Sequence, residues 1–441
     1  MLIPRKVVVI PAESIPRLSS YVSFLMISVL VLNLSGYPIV ASITGLLGLD
    51  NRLVAFAFRI LLLLGSVALI AAILTNRVRV YRGWVWVPML VFWLVYLIRL
   101  ILDTKIVVPP LSRGPNEYWM WAIGGCLLPL VALMARPNKA TARNAPEAVL
   151  WVTGVAALLV LAAIAMEIVS GISRVLETGR LEISTLNPIS AGHLGGTLVL
   201  ISMYSFFRGG QLRNMKWKTS VLLLLILAGL ILVVLSGSRG ALGATAICAA
   251  VFGISKFHRR GGALAVVGIG LLAVGTYHAA SLAEDRLGLL TLSRIASAMS
   301  PGRDTGASDR LELLSDSWDQ FLEAPVLGSG LEESNRRDYP HNVVVESFMA
   351  TGLVGGVAFL LIIISAAWVA VRAIFTGAPH GWLALICLQY LIGAQVSGSL
   401  WGNTVMWSLI GATFGYCGLS GSRIPFGIPR KDSALEHAGS Y

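Results

Sequence analysis

Residues 339–370 read YPHNVVVESFMATGLVGGVAFLLIIISAAWVA, and the organisation of the chain follows from this junction between polar and apolar sequence. The apolar part is longer than the minimum of about 20 residues that a helix needs to cross a bilayer. The segment before it, 281–342, is the one long polar stretch of the chain. The sequence therefore predicts a membrane-spanning helix that starts where the chain leaves a large polar loop.

The composition of the whole chain is typical of a polytopic membrane protein. Of the 441 residues, 56% are hydrophobic and only 13% are charged, and the mean hydropathy is +0.78. A soluble domain has a much more polar composition. Four cysteines lie in apolar segments without paired spacing, so they predict neither a disulfide framework nor a metal site. They are Cys126, Cys248, Cys387 and Cys417.

Apolar runs of spanning length predict about twelve transmembrane helices. Their expected positions are 21–42, 54–75, 83–102, 118–135, 147–170, 188–206, 219–236, 240–255, 263–280, 343–370, 381–399 and 402–420. The first run lacks a small-residue cleavage site, which favours a retained helix over a signal peptide. We expect an all-α fold in four parts. These are nine spans over 1–280, a loop containing amphipathic helices over 281–342, three spans over 343–420, and a tail over 421–441.

The positions of lysine and arginine predict the orientation of these helices. With a cytoplasmic N-terminus, each inside segment carries basic residues, and the 281–342 loop faces the side away from the cytoplasm. The inside residues are Arg5, Lys6 and Arg17; Arg77, Arg79 and Arg82; Arg136, Lys139 and Arg143; Arg208, Arg213, Lys216 and Lys218; Lys256, Arg259 and Arg260; Arg372; Arg423, Arg430 and Lys431. The net charge of +12 is then a topology signal that suits anionic lipid headgroups. It does not indicate nucleic-acid binding.

The polar loop contains a predicted amphipathic helix that lies over the membrane ends of the other spans. Ser308 is its expected N-cap, and Pro325 ends it. Its apolar residues recur at helical spacing. They are Leu311, Leu314, Trp318 and Leu322. Arg310 then lies at the edge of the packed face.

His341 is the first candidate for chemistry, because it stands where the polar loop meets a helix. Pro340 precedes it and the amide Asn342 follows it. Imidazole is the side chain whose ordinary pKa suits general-base catalysis near neutral pH. Tyr339, Asn342 and Glu346 are secondary candidates beside it; a counter-ion role for Glu346 is as consistent with the sequence as a catalytic one.

Arginines on the same predicted side form a second set of candidates. Arg239 lies in the turn 236–240, SGSRG, between two apolar helices. Its planar fork suits bidentate binding of phosphate, although a turn arginine can also be solvated or bind lipid phosphate. Arg180 and Arg310 are further candidate phosphate ligands, with an ordinary loop arginine as the alternative. Arg59 lies inside the second span, where it either faces a cavity or extends to the interface.

Missing motifs narrow the class of function. The sequence contains no phosphate-binding G-x-x-x-x-G-K-[ST] loop, no H-E-x-x-H, no G-x-S-x-G elbow and no metal-ligand cluster, so we expect no metal and no cofactor. A transporter or lipid-linked sugar flippase is expected to show repeated halves and charges deep in its spans. The polar groups collect instead at one face, which favours an enzyme acting on a lipid-anchored anionic substrate.

Several segments together resemble one family. His341-Asn342, nine residues and Gly352-Leu-Val-Gly355 are similar to the H-[NSQ]-x9-G-x2-G pattern of the O-antigen ligase and Wzy-type O-antigen polymerase superfamily. Residues 323–330, EAPVLGSG, resemble the segment that precedes this pattern in the family. Residues 236–242 resemble the family's arginine turn, and residues 180–188 resemble its preceding loop.

The resemblance implies a GT-C-like helical fold in the bacterial inner membrane, with both termini cytoplasmic and the active site periplasmic. It implies metal-independent, inverting transfer of a glycan from undecaprenyl diphosphate. His341 is then the base, and Arg180, Arg239 and Arg310 hold the diphosphate. The acceptor is a second undecaprenyl-linked repeat unit in a polymerase of O-antigen or exopolysaccharide, and lipid A–core in a ligase of lipopolysaccharide biosynthesis. The amino-acid sequence around Tyr339 favours the polymerase, for which a chain-length regulator is a further expected partner.

Overall fold

The computed structural model describes residues 17–49, 51–107, 109, 111–169, 186–208, 216–256 and 305–417. Every regular element in these ranges is helical. The β-structure found there consists of isolated bridge residues, among them the antiparallel pair Val80 and Ala135. The predicted all-α class is therefore confirmed for the described part of the chain.

The α-helices are numbered here in chain order. They are α1 Arg17–Val31, α2 Tyr37–Leu47, α3 Asn51–Thr75, α4 Trp86–Ile101, α5 Pro115–Trp119, α6 Leu128–Leu133, α7 Lys139–Val169, α8 Pro188–Arg208, α9 Lys216–Leu235, α10 Arg239–Lys256, α11 Thr305–Glu323, α12 Val343–Thr376, α13 Gly381–Gly393 and α14 Thr404–Cys417. Short π-helical turns lie between α1 and α2, after α4, and between α5 and α6. Their bounds are Leu32–Gly36, Leu102–Ile106 and Met120–Leu127.

Six helices in the described ranges are long and apolar enough to cross a membrane. They are Ser20–Leu47, Val54–Thr75, Trp86–Ile106, Thr141–Glu167, Pro188–Phe207 and Val343–Thr376. The shorter apolar helices Thr219–Leu235 and Gly381–Gly393 coincide with two more predicted spans. The predicted span at 263–280 lies outside the described residues, so the count of about twelve stays a prediction.

The helix bundle is held together by aromatic packing and by close backbone contacts. In its centre the ring of Phe92 on α4 stacks on Trp407 of α14 at 5.4 Å and contacts Phe359 of α12 at 5.1 Å. On the other side of the bundle α8 and α9 approach closely. A β-carbon added at Gly195 of α8 would lie only 2.6 Å from the carbonyl oxygen of Gly229 on α9. Small residues at helix interfaces permit such approach in membrane proteins.

The helix predicted as one continuous span at 343–370 is broken one third of the way along. Gly352 has φ +63 and ψ −161, outside the helical region. The turn after α11 inserts at this break: the amide of Leu353 donates to the carbonyl oxygen of Pro325 at 2.7 Å, and the amide of Ser329 donates to Met349 at 3.0 Å. The loop thus replaces hydrogen bonds that the break removes from α12.

An ion pair between α4 and the π-helical turn that follows it stabilises the same junction. The guanidinium of Arg99 donates to carbonyl oxygens of residues 327–329 and, at 3.1 Å, to that of Ala350. Its partner Asp103 lies 3.3 Å away and accepts the amide of Leu331 at 2.8 Å. Arg99 therefore connects α4 to the turn at 327–329 and to the part of α12 that precedes its break.

The amphipathic helix exists as predicted, but its packed face was predicted incorrectly. It begins at Thr305, so Ser308 lies inside it and is not its N-cap. Leu311, Trp318 and Leu322 are exposed, whereas Leu313, Ser317, Gln320 and Phe321 are buried. Two polar residues can be buried because their groups are satisfied: the hydroxyl of Ser317 donates to Leu313, and Gln320 bonds the backbone of Glu332 and Ser334. The exposed apolar stripe is typical of a helix at a membrane surface.

Candidate active site

His341 occupies a strained backbone position at the start of α12. Its φ is +56, the left-handed region that costs a residue with a β-carbon about 1–2 kcal/mol. Asn342 follows as the N-cap, and its Oδ1 accepts the amides of Val344 and Val345 at 3.0 Å each. The sharp turn at His341 and the cap at Asn342 together set the path by which the chain enters α12. Such strain persists only where surrounding contacts hold it, and it is common at functional sites.

These contacts come from three consecutive residues that follow α13, here called the 394–396 segment. The amide of Val343 donates to the carbonyl oxygen of Ala394 at 3.2 Å. The side-chain amide of Asn342 donates to Gln395 at 3.0 Å. The guanidinium of Arg310 on α11 donates to the next carbonyl, that of Val396, at 3.4 Å. The segment thus joins the His341 turn to Arg310.

Arg239 is brought to the same segment by its own turn. It is the first residue of α10, and the hydroxyl of Ser238 accepts the amide of Ala241 at 3.4 Å as a cap. A side chain at Gly240 would lie 2.7 Å from Val396, so the arginine turn packs directly against the 394–396 segment. The structure therefore brings together three elements far apart in the chain that carry Arg239, Arg310 and the candidate base.

The surroundings of His341 favour its neutral form. Burial lowers the pKa of His341, and the positive charge of Arg310 lowers it further, while Asp338 opposes this shift. Its Nδ1 is buried without a hydrogen-bond partner among the described residues. A neutral imidazole keeps a lone pair for accepting a proton. The side chain is thus neutral at neutral pH and available to accept a proton.

Tyr339 lies beside this imidazole. The two rings are 4.5 Å apart and tilted by 63°. Burial is the main reason that the pKa of Tyr339 rises to about 12. The phenol therefore stays protonated at neutral pH and is available as a hydrogen-bond donor.

Glu346 has a structural role in the described contacts. It lies one turn into α12 and is buried. Its carboxylate accepts the amide of Leu400 at 2.8 Å. This bond holds the loop between α13 and α14 against α12, and thereby positions the 394–396 segment.

A cavity of about 350 Å³ adjoins the site, with Tyr339 in its wall. Two arginines line it, each over an indole ring. Arg59 lies 4.2 Å from the Trp121 centroid, and Arg113 lies 5.4 Å from that of Trp401. Arg59 thus faces a cavity, one of the two alternatives considered for it. Arg113 was not a candidate; the sequence signal was only an arginine in a short outward loop.

His193 also lines this cavity, but its contacts are those of a packed residue. Its ring stacks on Tyr390 at 5.0 Å, and a side chain at Gly393 would overlap it at 2.2 Å. Its backbone carbonyl accepts the side-chain amide of Gln389 at 3.0 Å. Arg180, the remaining candidate phosphate ligand, lies outside the described residues.

Comparison with known proteins agrees with the resemblance noted in the sequence. The family model described as O-antigen ligase matches residues 222–360, about a third of the chain. No curated protein matches the chain. The matched range contains Arg239, Arg310 and His341, together with the glycine at the break in α12. The resemblance to the O-antigen ligase and Wzy-type polymerase superfamily is confirmed over these residues.

Proposed function

We propose that this membrane protein is a glycosyltransferase that moves a glycan from undecaprenyl diphosphate to an acceptor hydroxyl at the periplasmic face of the inner membrane. The family match supports activity of the O-antigen ligase and polymerase type. One observation carries the finer proposal: the His341 turn, Arg310 on α11 and the Arg239 turn all contact the 394–396 segment. A base and two permanent cations on elements that meet at one segment suit the transfer of a sugar from an anionic leaving group.

In the proposed reaction His341 accepts the proton of the acceptor hydroxyl. The acceptor oxygen attacks the anomeric carbon, and the bond between that carbon and the diphosphate oxygen breaks. Configuration at the anomeric carbon inverts, because attack and departure take place on opposite faces of the sugar. The imidazolium then returns its proton to solvent. A neutral imidazole is required before attack, as its lowered pKa favours.

Arg239 and Arg310 bind the diphosphate in this proposal, with Arg180 as a third ligand. Negative charge grows on the leaving oxygen as the glycosidic bond breaks, and guanidinium groups placed there stabilise that charge. Unlike lysine, arginine presents a planar fork to two phosphate oxygens at once. This charge is available without a metal ion.

The cavity beside Tyr339 supports binding of the sugars themselves. Its walls combine aromatic rings with Arg59 and Arg113. Aromatic faces bury the apolar face of a pyranose, and the guanidinium groups donate hydrogen bonds to hydroxyl or carboxylate groups. We assign this cavity to the glycan next to the reacting bond.

Polymerase activity is proposed ahead of ligase activity, and the acceptor separates the two. Purified protein in detergent is incubated with undecaprenyl-linked repeat units alone, and then with lipid A–core added. A ladder of longer glycans without the second lipid means polymerase, whereas product formed only with it means ligase. If neither arm gives a product, the transporter alternative is favoured. A transporter forms no new glycan, and detergent micelles do not separate two compartments between which it could move one.

The central test replaces the base without disturbing its backbone. Asparagine tolerates positive φ better than most residues, so His341→Asn keeps the turn and removes the imidazole. We expect a folded protein whose glycan transfer falls by at least about a hundredfold, the lower range for general-base catalysis. His380→Asn, beyond the far end of α12, is the matched control and should retain wild-type transfer. Wild-type glycan transfer by His341→Asn would refute the proposal.

A further inference from the structure

A second cavity, of about 440 Å³, lies at the other end of the helix bundle. Four arginines line it, Arg77, Arg79, Arg82 and Arg136. It is separate from the candidate active site: Leu74 in its wall and Arg59 beside the active site are fifteen residues apart on α3, about 22 Å along a helix. The proposed glycan transfer does not use it.

The arginines are held in place by a backbone bridge. The amide of Arg136 donates to the carbonyl oxygen of Arg79 at 2.8 Å, and the amide of Tyr81 donates to Met134 at 2.9 Å. The Tyr81 ring stacks on Phe414 of α14 at 5.3 Å, which fixes the bridge to the bundle. The basic side chains therefore surround a preformed space and do not extend from a loose loop.

The positive charge of these four arginines is not balanced by a carboxylate among the described residues that line the cavity. No carboxylate lines it, and no ion pair involves its four arginines within the part of the chain that the structure describes. The Nε of Arg136 is buried and has no hydrogen-bond partner there. Buried donors are normally satisfied, so this atom points to an anionic ligand that accepts its proton.

An apolar groove continues from the basic cavity. A space of about 310 Å³ shares Ile73, Leu74, Val80 and Arg82 with it and extends past Trp86. The Leu74 side chain is 72% exposed, on the surface of a helix apolar enough to cross a membrane. Charge and apolar surface thus adjoin one another as the headgroup and acyl chain of a lipid do.

We propose that this site binds an anionic phospholipid. Its phosphate lies among Arg79, Arg82 and Arg136, and one acyl chain follows the groove past Leu74 and Trp86. Basic pockets between membrane helices on the cytoplasmic side bind such headgroups, and the predicted topology puts this cavity on that side. A free phosphate or a nucleotide would leave the apolar groove unused.

Native mass spectrometry of the purified full-length protein tests the proposal. The protein in detergent is titrated with phosphatidylglycerol, with phosphatidylcholine and with soluble glycerol 3-phosphate. We expect phosphatidylglycerol to bind in preference to phosphatidylcholine. Arg79→Gln/Arg136→Gln should weaken that binding about tenfold or more, as loss of charge-assisted hydrogen bonds implies. The control is Arg372→Gln, an exposed arginine near the end of α12, and it should bind as wild type.

Arg82→Gln repeats the test without touching the bridge, in case the double variant does not fold. A preference for phosphatidylglycerol that Arg82→Gln weakens and Arg372→Gln does not would support the site. Equal binding of both phospholipids, or equal losses in the cavity variants and the control, would overturn it. Glycerol 3-phosphate that competes as well as the intact lipid would also overturn it, since the groove would then contribute nothing. None of these readouts depends on glycan transfer.

Discussion

Gly352→Ala tests whether the break in α12 depends on this glycine. The β-carbon of an alanine would lie 2.3 Å from the backbone carbon and oxygen of Val326, a separation that requires the turn to move. The backbone there, φ +63 and ψ −161, belongs to a region that is essentially restricted to glycine. Its cost for another residue is about 1–3 kcal/mol.

Displacement of the turn adds a second cost. It removes the hydrogen bond from the amide of Leu353 to Pro325, which is 2.7 Å long in the structure and contributes about 1 kcal/mol. The two effects together predict a loss of about 2–4 kcal/mol in the free energy of unfolding. Because the same turn connects to α11, which carries Arg310, glycan transfer should fall as well.

Gly243→Ala is the matched control, since it makes the same chemical change in another helix. No heavy atom lies within 4 Å of the β-carbon it would add, and its backbone is helical. Replacing a helical glycine by alanine stabilises by up to about 1 kcal/mol.

Both glycine variants are unfolded with sodium dodecyl sulfate in mixed micelles and followed by tryptophan fluorescence. We expect a lower midpoint for Gly352→Ala and an unchanged or higher one for Gly243→Ala. Equal midpoints for the two variants would mean that α12 tolerates a side chain at its break and that the inserted turn does not depend on Gly352.

Three further predictions concern the site itself. Arg310→Gln removes one of the two causes that hold the pKa of His341 down, so that pKa should rise and the acid limb of the pH–rate profile should move to higher pH; an unmoved limb would limit Arg310 to substrate binding. Asn342→Ala removes the cap of α12 and the bond to Gln395, and should lower stability by about 1–2 kcal/mol; Asn342→Asp keeps the cap and should unfold closer to wild type, which thermal melts can compare. Arg239→Lys keeps the charge but not the planar fork of the guanidinium, so steady-state transfer should drop about tenfold or more for a lost bidentate contact; near-normal transfer would contradict bidentate binding of the diphosphate by Arg239.

Hydropathy is a local property, and it was enough to locate most helices. The apolar runs that became α3, α4, α8 and α12 are visible directly in the sequence, because a lipid environment requires continuous apolar surface and internally bonded backbone. The turn chemistry around Arg239 and His341 was visible for a similar reason, as glycine, serine, proline and asparagine mark helix ends.

Side-chain faces and long-range bonds could not be predicted in this way. The packed face of α11 differs from the predicted one because Leu311, Trp318 and Leu322 are exposed, while Ser317 and Gln320 are buried against hydrogen-bond partners that periodicity does not reveal. Arg99 was missed because its acceptors lie more than 220 residues away in the chain. Arg113 became a site candidate only when Trp401 was found beneath it.

The amino-acid sequence alone established an all-helical membrane protein, the helix ends that carry His341 and Arg239, and the family that these motifs resemble. It did not establish that α12 breaks at Gly352, or that the 394–396 segment contacts both the His341 and Arg239 turns and Arg310 of α11. The reason is physical: transfer to the bilayer depends on composition within about 20 residues, whereas the site depends on hydrogen bonds and close contacts between segments that meet only in the folded bundle.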